Sequence, residues 1–135
     1  MLDTIRRILL EAFPDAQAIY HFGSTARGED APGSDIDLAL LLPYATAKQS
    51  DSLVLLDVSA RLTRALGRDL DLINVREVST VFQMEILRTG QVIDCADDRA
   101  RLEFEMRTLS GYFKLNEERA DILRQFQKTR RAYAV

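Results

Sequence analysis

The sequence predicts an α/β (α+β) chain, a small β-sheet flanked by helices and followed by a long C-terminal helical segment. Three observations lead there. Short apolar runs with sharp punctuation, at residues 16–22, 35–42 and 68–75, have the length and endings of strands. Residues 2–13, 47–66 and 78–87 repeat their apolar side chains at helical spacing instead. From Asp97 to near Arg131 the only Gly or Pro is Gly111, so one long helix, or two joined there, is expected.

In chain order, Leu2, Ile5, Leu9, Ala12 and Phe13 make an amphipathic first helix that Pro14 ends. Residues 16–22 form strand one and run into Gly23-Ser24. The loop of residues 28–34, Gly-Glu-Asp-Ala-Pro-Gly-Ser, is dense in turn formers, and strand two follows at 35–42 up to Pro43. Leu55, Val58, Leu62 and Leu66 keep the helical beat of residues 47–66, with Gly67 as the C-terminal stop. Strand three occupies 68–75. Val78, Val81, Phe82, Ile86 and Leu87 make the next helix, closed by Gly90, and residues 91–94 read as a short edge strand. No repeat, low-complexity run or linker divides the chain, so residues 1–135 read as a single domain.

Composition narrows the functional classes. A chain of 135 residues that is 47% hydrophobic can bury a core without crosslinks. Cys95 is the only cysteine, which excludes an intrachain disulfide and leaves no Cys/His zinc cluster, and a reducing cytoplasm is the expected location. Charges interrupt every apolar stretch short of the ~20 residues that span a membrane. A net charge of −3 and a pI near 5.2 argue against a broad nucleic-acid surface, so no direct nucleic-acid partner is expected. Arg124, Lys128, Arg130 and Arg131 follow the last acid, Asp121, and placement at a helix C-terminus accounts for them.

The chemistry is concentrated in Gly23-Ser24 and Asp35-Ile36-Asp37. On a strand rising about 3.3 Å per residue, Asp35 and Asp37 share one face with backbones roughly 6.6 Å apart, while Ile36 and Leu38 point to the other. Two such carboxylates suit Mg²⁺, a hard cation that takes oxygen ligands and shares them with substrate phosphates. A turn without a side chain at Gly23 lets backbone N–H groups approach phosphate oxygens. Ser24 adds a hydroxyl and is placed to cap a short helix beginning near Thr25. Arg27, one turn on, is a candidate phosphate or acceptor contact. A third acid is expected in strand three, where Asp69 and Asp71 share a face. Asp71, deeper in the apolar run and costlier to leave unpaired, is the chosen metal ligand or base. Acids in two separate Leu/Ile-rich strands need this kind of explanation, because Asp is a poor strand former and is seldom buried unpaired. His21, just before the turn, is either a substrate contact or a strand histidine satisfied by nearby carbonyls, and Tyr20, Tyr44 and Tyr112 are given no catalytic role.

Gly23-Ser24 followed after ten residues by Asp35-x-Asp37 resembles the signature of the DNA polymerase β-type nucleotidyltransferase superfamily. The segments at 22–28, 34–38 and 71–73, with Leu-Arg-Thr-Gly-Gln-Val-Ile at 87–93, resemble its minimal nucleotidyltransferase (MNT) domains, most of all the MntA-type antitoxins of HEPN/MNT toxin–antitoxin systems. The likeness runs from about Ala18 to the final helix. It implies the nucleotidyltransferase fold with a small mixed sheet, and Mg²⁺-dependent transfer of AMP from ATP to a tyrosine of a HEPN ribonuclease toxin, which silences it within a hetero-oligomer. By matching position, Gly23 and Ser24 would engage the triphosphate, Asp35 and Asp37 would bind Mg²⁺, and Asp71 would be the third acid. A nucleotidyltransferase acting on a small molecule or RNA, or an antitoxin acting by binding alone, are the alternatives. A chain this short has little room for a domain that holds an acceptor. Tyr112, Phe113, Leu115, Ile122, Leu123, Phe126 and Tyr133 are available as a docking face, although packing on the chain's own sheet is expected for most of them.

Overall fold

The computed structural model describes residues 1–28, 33–47 and 52–133, with no side-chain description for Ala47 or for residues 130–133. Its elements run α1 (Leu2–Ala12), β1 (Ala18–Phe22), α2 (Gly23–Ala26), β2 (Ile36–Leu41), α3 (Tyr44–Ala47), α4 (Ser52–Leu66), β3 (Leu70–Asn74), α5 (Thr80–Thr89), β4 (Gln91–Cys95) and α6 (Asp98–Tyr133). The strands form one mixed sheet in the order β3-β2-β1-β4. β1 is antiparallel to both β2 and β4, and β2 is parallel to β3. The parallel pair needs a crossover, and α4 supplies it.

Alternation along the strands sends apolar side chains to both faces, and each face has its own helical cover. On one, Ile19, Ile36, Leu38, Leu40, Leu70 and Leu72 meet Ile5 and Leu9 of α1 and Val58 and Leu62 of α4. On the other, Ala18, Tyr20, Ala39 and Leu41 meet Ile86 of α5 and Phe104 of α6. The second cover leaves the beginning of β2 and β3 open. That opening receives Asp37 and Asp71.

The expected elements are present, with shifted ends. α1 stops at Ala12, with Phe13 rather than Pro14 as its cap residue. The helix expected over 47–66 begins at Ser52, after the separate turn α3; residues 48–51 lie outside the described residues, as do residues 29–32 of the turn-rich loop. Gly67, with φ of 68°, ends α4 as anticipated. Ser79 caps α5, its hydroxyl accepting from the Phe82 N–H at 3.2 Å. β4 lies at the sheet edge as expected. Helix α6 passes through Gly111 and spans 36 residues, or about 54 Å at ~1.5 Å per residue.

The expectation that most apolar side chains of the final segment pack on the sheet is not met. Phe104 and Thr108 are buried, but Phe113, Ile122, Leu123 and Phe126 are 59–65% exposed and Tyr112 and Leu115 are half-buried. The body ends before the helix does. Tyr133 falls among the residues without side-chain description. Among the described residues no helix is long and apolar enough to cross a membrane.

Candidate functional site

The site is built where three chain segments meet at one end of the sheet. β1 ends at Phe22, opposite Asp37 in the antiparallel register, and passes directly into α2. Gly23 makes that change of direction with φ of 79°. It must also be bare, because a Cβ there would lie 2.3 Å from Asp37 Oδ2. The carboxylate of Asp37 therefore rests against the Gly23 backbone. The two halves of the sequence motif, ten residues apart, are in contact.

Asp37 and Asp71 face each other across the parallel pair, in register as Asp37↔Asp71. Adjacent strands are separated by about 4.8 Å, so their carboxylates flank one opening. Ile36 and Leu70, one residue earlier, are buried on the opposite face, which fixes the orientation of both acids. Asp35 precedes the strand by one residue and is exposed on the same side as Asp37. Burial raises the Asp37 carboxyl above the usual carboxylate range, and the negative charges of Asp71 and Asp35 raise it further. The structure thus brings together the three predicted acids. Asp71 lies in register with Asp37, which separates it from Asp69 as sequence spacing could not.

Two expectations need correction. Asp71 is exposed rather than deep, because the helices covering that face reach Ala39 and Leu41 but not the start of the edge strand β3. Ser24 does not cap α2: the helix begins at Gly23, Phe22 occupies the cap position, and Ser24 sits half-buried in the first turn. His21 is buried, as a structural histidine should be, and its Nε2 lies 2.8 Å from the Thr25 hydroxyl. That contact ties β1 to α2. Arg27 is exposed just past α2, its backbone N–H donating to the Gly23 carbonyl at 3.3 Å.

Supports that the sequence reading missed stand behind the turn. Phe82 of α5 packs edge-on against Phe22, with ring centroids 5.7 Å apart. Gly90 abuts the end of β1: a Cβ there would fall 2.5 Å from the Ile86 carbonyl oxygen and 3.1 Å from that of His21. In the sequence this glycine marks a helix stop, and close backbone approach is its second use.

No group of three or more His, Cys, Asp or Glu side chains is assembled as a metal cage among the described residues. The donor chemistry nonetheless fits Mg²⁺. The ion commonly takes one or two carboxylates and completes its shell with water and substrate phosphates. Hard oxygen donors that repel one another, as around Asp37, are what a divalent cation relieves.

Comparison with known proteins shows what the chain is similar to. The polymerase beta nucleotidyltransferase family matches residues 4–99. The protein adenylyltransferase MntA of Shewanella oneidensis is 32% identical over 119 residues, which cover 88% of this chain and 82% of that protein. A crystal structure of a toxin–antitoxin with AMP-PNP is similar at a TM-score of 0.79, with 29% identity, covering 93% of this chain and 98% of that one. The structure of a tri-AMPylated Shewanella oneidensis HEPN toxin in complex with its MNT antitoxin is similar at 0.73, with 27% identity over 93% of this chain and 95% of the other.

Proposed function

Because this chain belongs to the polymerase β nucleotidyltransferase family, we propose that it is an antitoxin that transfers AMP from ATP to a tyrosine of a cognate HEPN ribonuclease toxin and so silences it. The observation carrying this reading is the contact between the Gly23 turn and Asp37, with Asp71 at the same level of the neighbouring strand. Relatives 27–32% identical over most of the chain supply the acceptor: one is a protein adenylyltransferase, and another is the antitoxin bound to an AMPylated HEPN toxin. Residues 1–135 act as a single domain, in the cytoplasm, within a hetero-oligomer that contains the toxin.

In the reaction, the tyrosine phenol oxygen attacks the α-phosphorus of ATP in line, the bond to the bridging oxygen breaks, and pyrophosphate leaves. Gly23 and Ser24 receive the triphosphate, through backbone N–H groups and a hydroxyl. Asp35 and Asp37 would hold Mg²⁺. Asp71 faces the same opening from β3 and is placed to share the cation or to receive the phenolic proton. Arg27, at the exposed end of α2, contacts a phosphate or the incoming partner. Mg²⁺ supplies Lewis-acid chemistry, lowering the acceptor's pKa and offsetting charge on the leaving group.

The toxin docks on α6. Phe104, Thr108, Leu115, Ile122 and Phe126 are spaced by four or seven residues, so the face that is buried against the body continues beyond it as an exposed apolar strip. A toxin assay separates catalysis from simple capture. RNA cleavage by the HEPN protein should be suppressed by wild type with ATP and Mg²⁺, and persist with the Asp35→Asn/Asp37→Asn double variant. Equal suppression by both proteins would assign neutralisation to binding alone.

A further inference from the structure

Asp35 is the least supported of the three acids. The β1–β2 ladder reaches only to Phe22↔Asp37, and the β2–β3 ladder begins at Ile36↔Leu70, so Asp35 lies outside both. Ahead of it stands Gly33 with φ of 85°, a conformation that favours no ordinary side chain and gives Asp35 no regular structure to lean on. A carboxylate with a defined task on such a segment requires a hold from elsewhere.

That hold comes from the approach to β3. The Ser34 carbonyl accepts a hydrogen bond from Arg68 Nη2 at 2.7 Å. On the other side of Asp35, the Ile36 N–H donates to the Asp69 carbonyl at 2.9 Å. Residues 68 and 69 therefore bracket residues 34 and 36. Gly67, with φ of 68°, ends α4 and turns the chain so that Arg68 reaches this point. The arginine is half-buried and its Nε is shielded from solvent. Surface arginines lay their stems on the protein and release the head to water, whereas this one commits part of its head to a backbone oxygen. A charged donor makes that bond stronger than a neutral one would.

We infer that Arg68 is a positioning residue for AMP transfer: by clamping Ser34 it fixes the backbone that carries Asp35, and thereby sets the geometry in which Asp35 shares a divalent cation with Asp37. The inference rests on the proposed nucleotidyl transfer for its activity readout and on metal binding for an independent one. Asp71 is carried by the same strand that Arg68 and Asp69 introduce, so the clamp also fixes one acid-bearing segment relative to the other.

The test compares wild type, Arg68→Ala, Arg68→Lys and Asp35→Asn as full-length proteins. Mn²⁺ binding is followed by electron paramagnetic resonance, and AMP transfer to the HEPN partner by mass, with thermal melting as a folding control. Arg68→Ala should weaken Mn²⁺ binding and lower kcat by about 10–100-fold, the scale of an ångström-sized misplacement, with KM for ATP changed less than kcat. Arg68→Lys, which keeps a donor without the planar fork, should recover part of both. Adding Arg68→Ala to Asp35→Asn should weaken Mn²⁺ binding no further, since the two changes act through one ligand. Wild-type Mn²⁺ affinity and wild-type kcat in a folded Arg68→Ala protein would overturn the inference. If that variant does not fold, Arg68→Lys decides it: unchanged binding and rate reject the clamp. A wild type that binds Mn²⁺ but transfers no AMP would refute the transferase reading instead, and the Mn²⁺ series would still decide the role of Arg68.

Discussion

The parallel pair β2–β3 ends in two different ways. At its C-terminal end hydrogen bonds tie the strands to their surroundings. The Val75 N–H donates to the Leu40 carbonyl at 3.0 Å, and the Asn74 amide oxygen accepts from the Arg76 N–H at 3.1 Å. The Arg76 side chain bonds the Leu42 carbonyl at 2.5 Å and Gln17 Oε1 at 2.9 Å. Its guanidinium lies 3.9 Å from the centre of the Tyr44 ring, whose hydroxyl is bonded by Arg107. At the N-terminal end the same two strands present Asp37 and Asp71 to each other, with Asp35 beside them. One end is fastened and the other holds like charges together. On the proposed site assignment, the chemistry lies at the end where like charges cost stability.

Breaking the open end should have the largest effect on activity. Asp35→Asn with Asp37→Asn should remove AMP transfer, and should leave the melting temperature unchanged or raise it by a few degrees. The sign follows from Asp37: its carboxyl is raised in the folded state, so the charged form costs stability at neutral pH and a neutral amide does not. Calorimetry beside a transfer assay measures both, and a large loss of melting temperature would mean the acids are structural.

Gly23→Ala attacks the same end from the backbone. The added Cβ meets Asp37 Oδ2, and the positive φ alone costs about 1–2 kcal/mol for a residue with a side chain. Transfer should drop by about 100-fold or more, as expected when a reacting group is displaced. A variant as active as wild type would refute the close contact.

The fastened end should respond in the opposite sense. Arg76→Ala leaves the Leu42 carbonyl and Gln17 without their donor and should cost about 1–3 kcal/mol in chemical denaturation. The folded fraction should transfer AMP at the wild-type rate. Loss of rate without loss of stability would couple the two ends, which the comparison denies.

Away from both ends, Ile122→Asp with Phe126→Asp on α6 should leave the melting temperature within about a degree, since both side chains are largely exposed. Affinity for the HEPN toxin, measured by calorimetric titration, should fall by about tenfold or more. An unchanged affinity would move the docking face elsewhere.

Much of the open end was legible in the sequence. Asp-x-Asp in a short apolar run fixes two carboxylates on one face, and a Gly before Ser in a strand-to-helix turn marks close approach. What could not be read was lateral. Asp71 was chosen over Asp69 on depth, yet the structure favours it on register, and register across a crossover helix is not a local property. Ser24 reads as a cap for a helix beginning near Thr25, whereas β1 passes into α2 at Gly23. Arg68 carried no local signal at all, since its partner is 34 residues away. On α6 the apolar spacing was correct, but periodicity does not say whether the surface that meets it belongs to the same chain.

AMP transfer to a protein acceptor is checked by intact-mass spectrometry of the cognate HEPN toxin after incubation with this protein, ATP and Mg²⁺, beside the Asp35/Asp37 double variant. Mass gains of whole AMP units, on tyrosine, are expected with wild type alone. No gain on a toxin that nevertheless binds the protein tightly would contradict it.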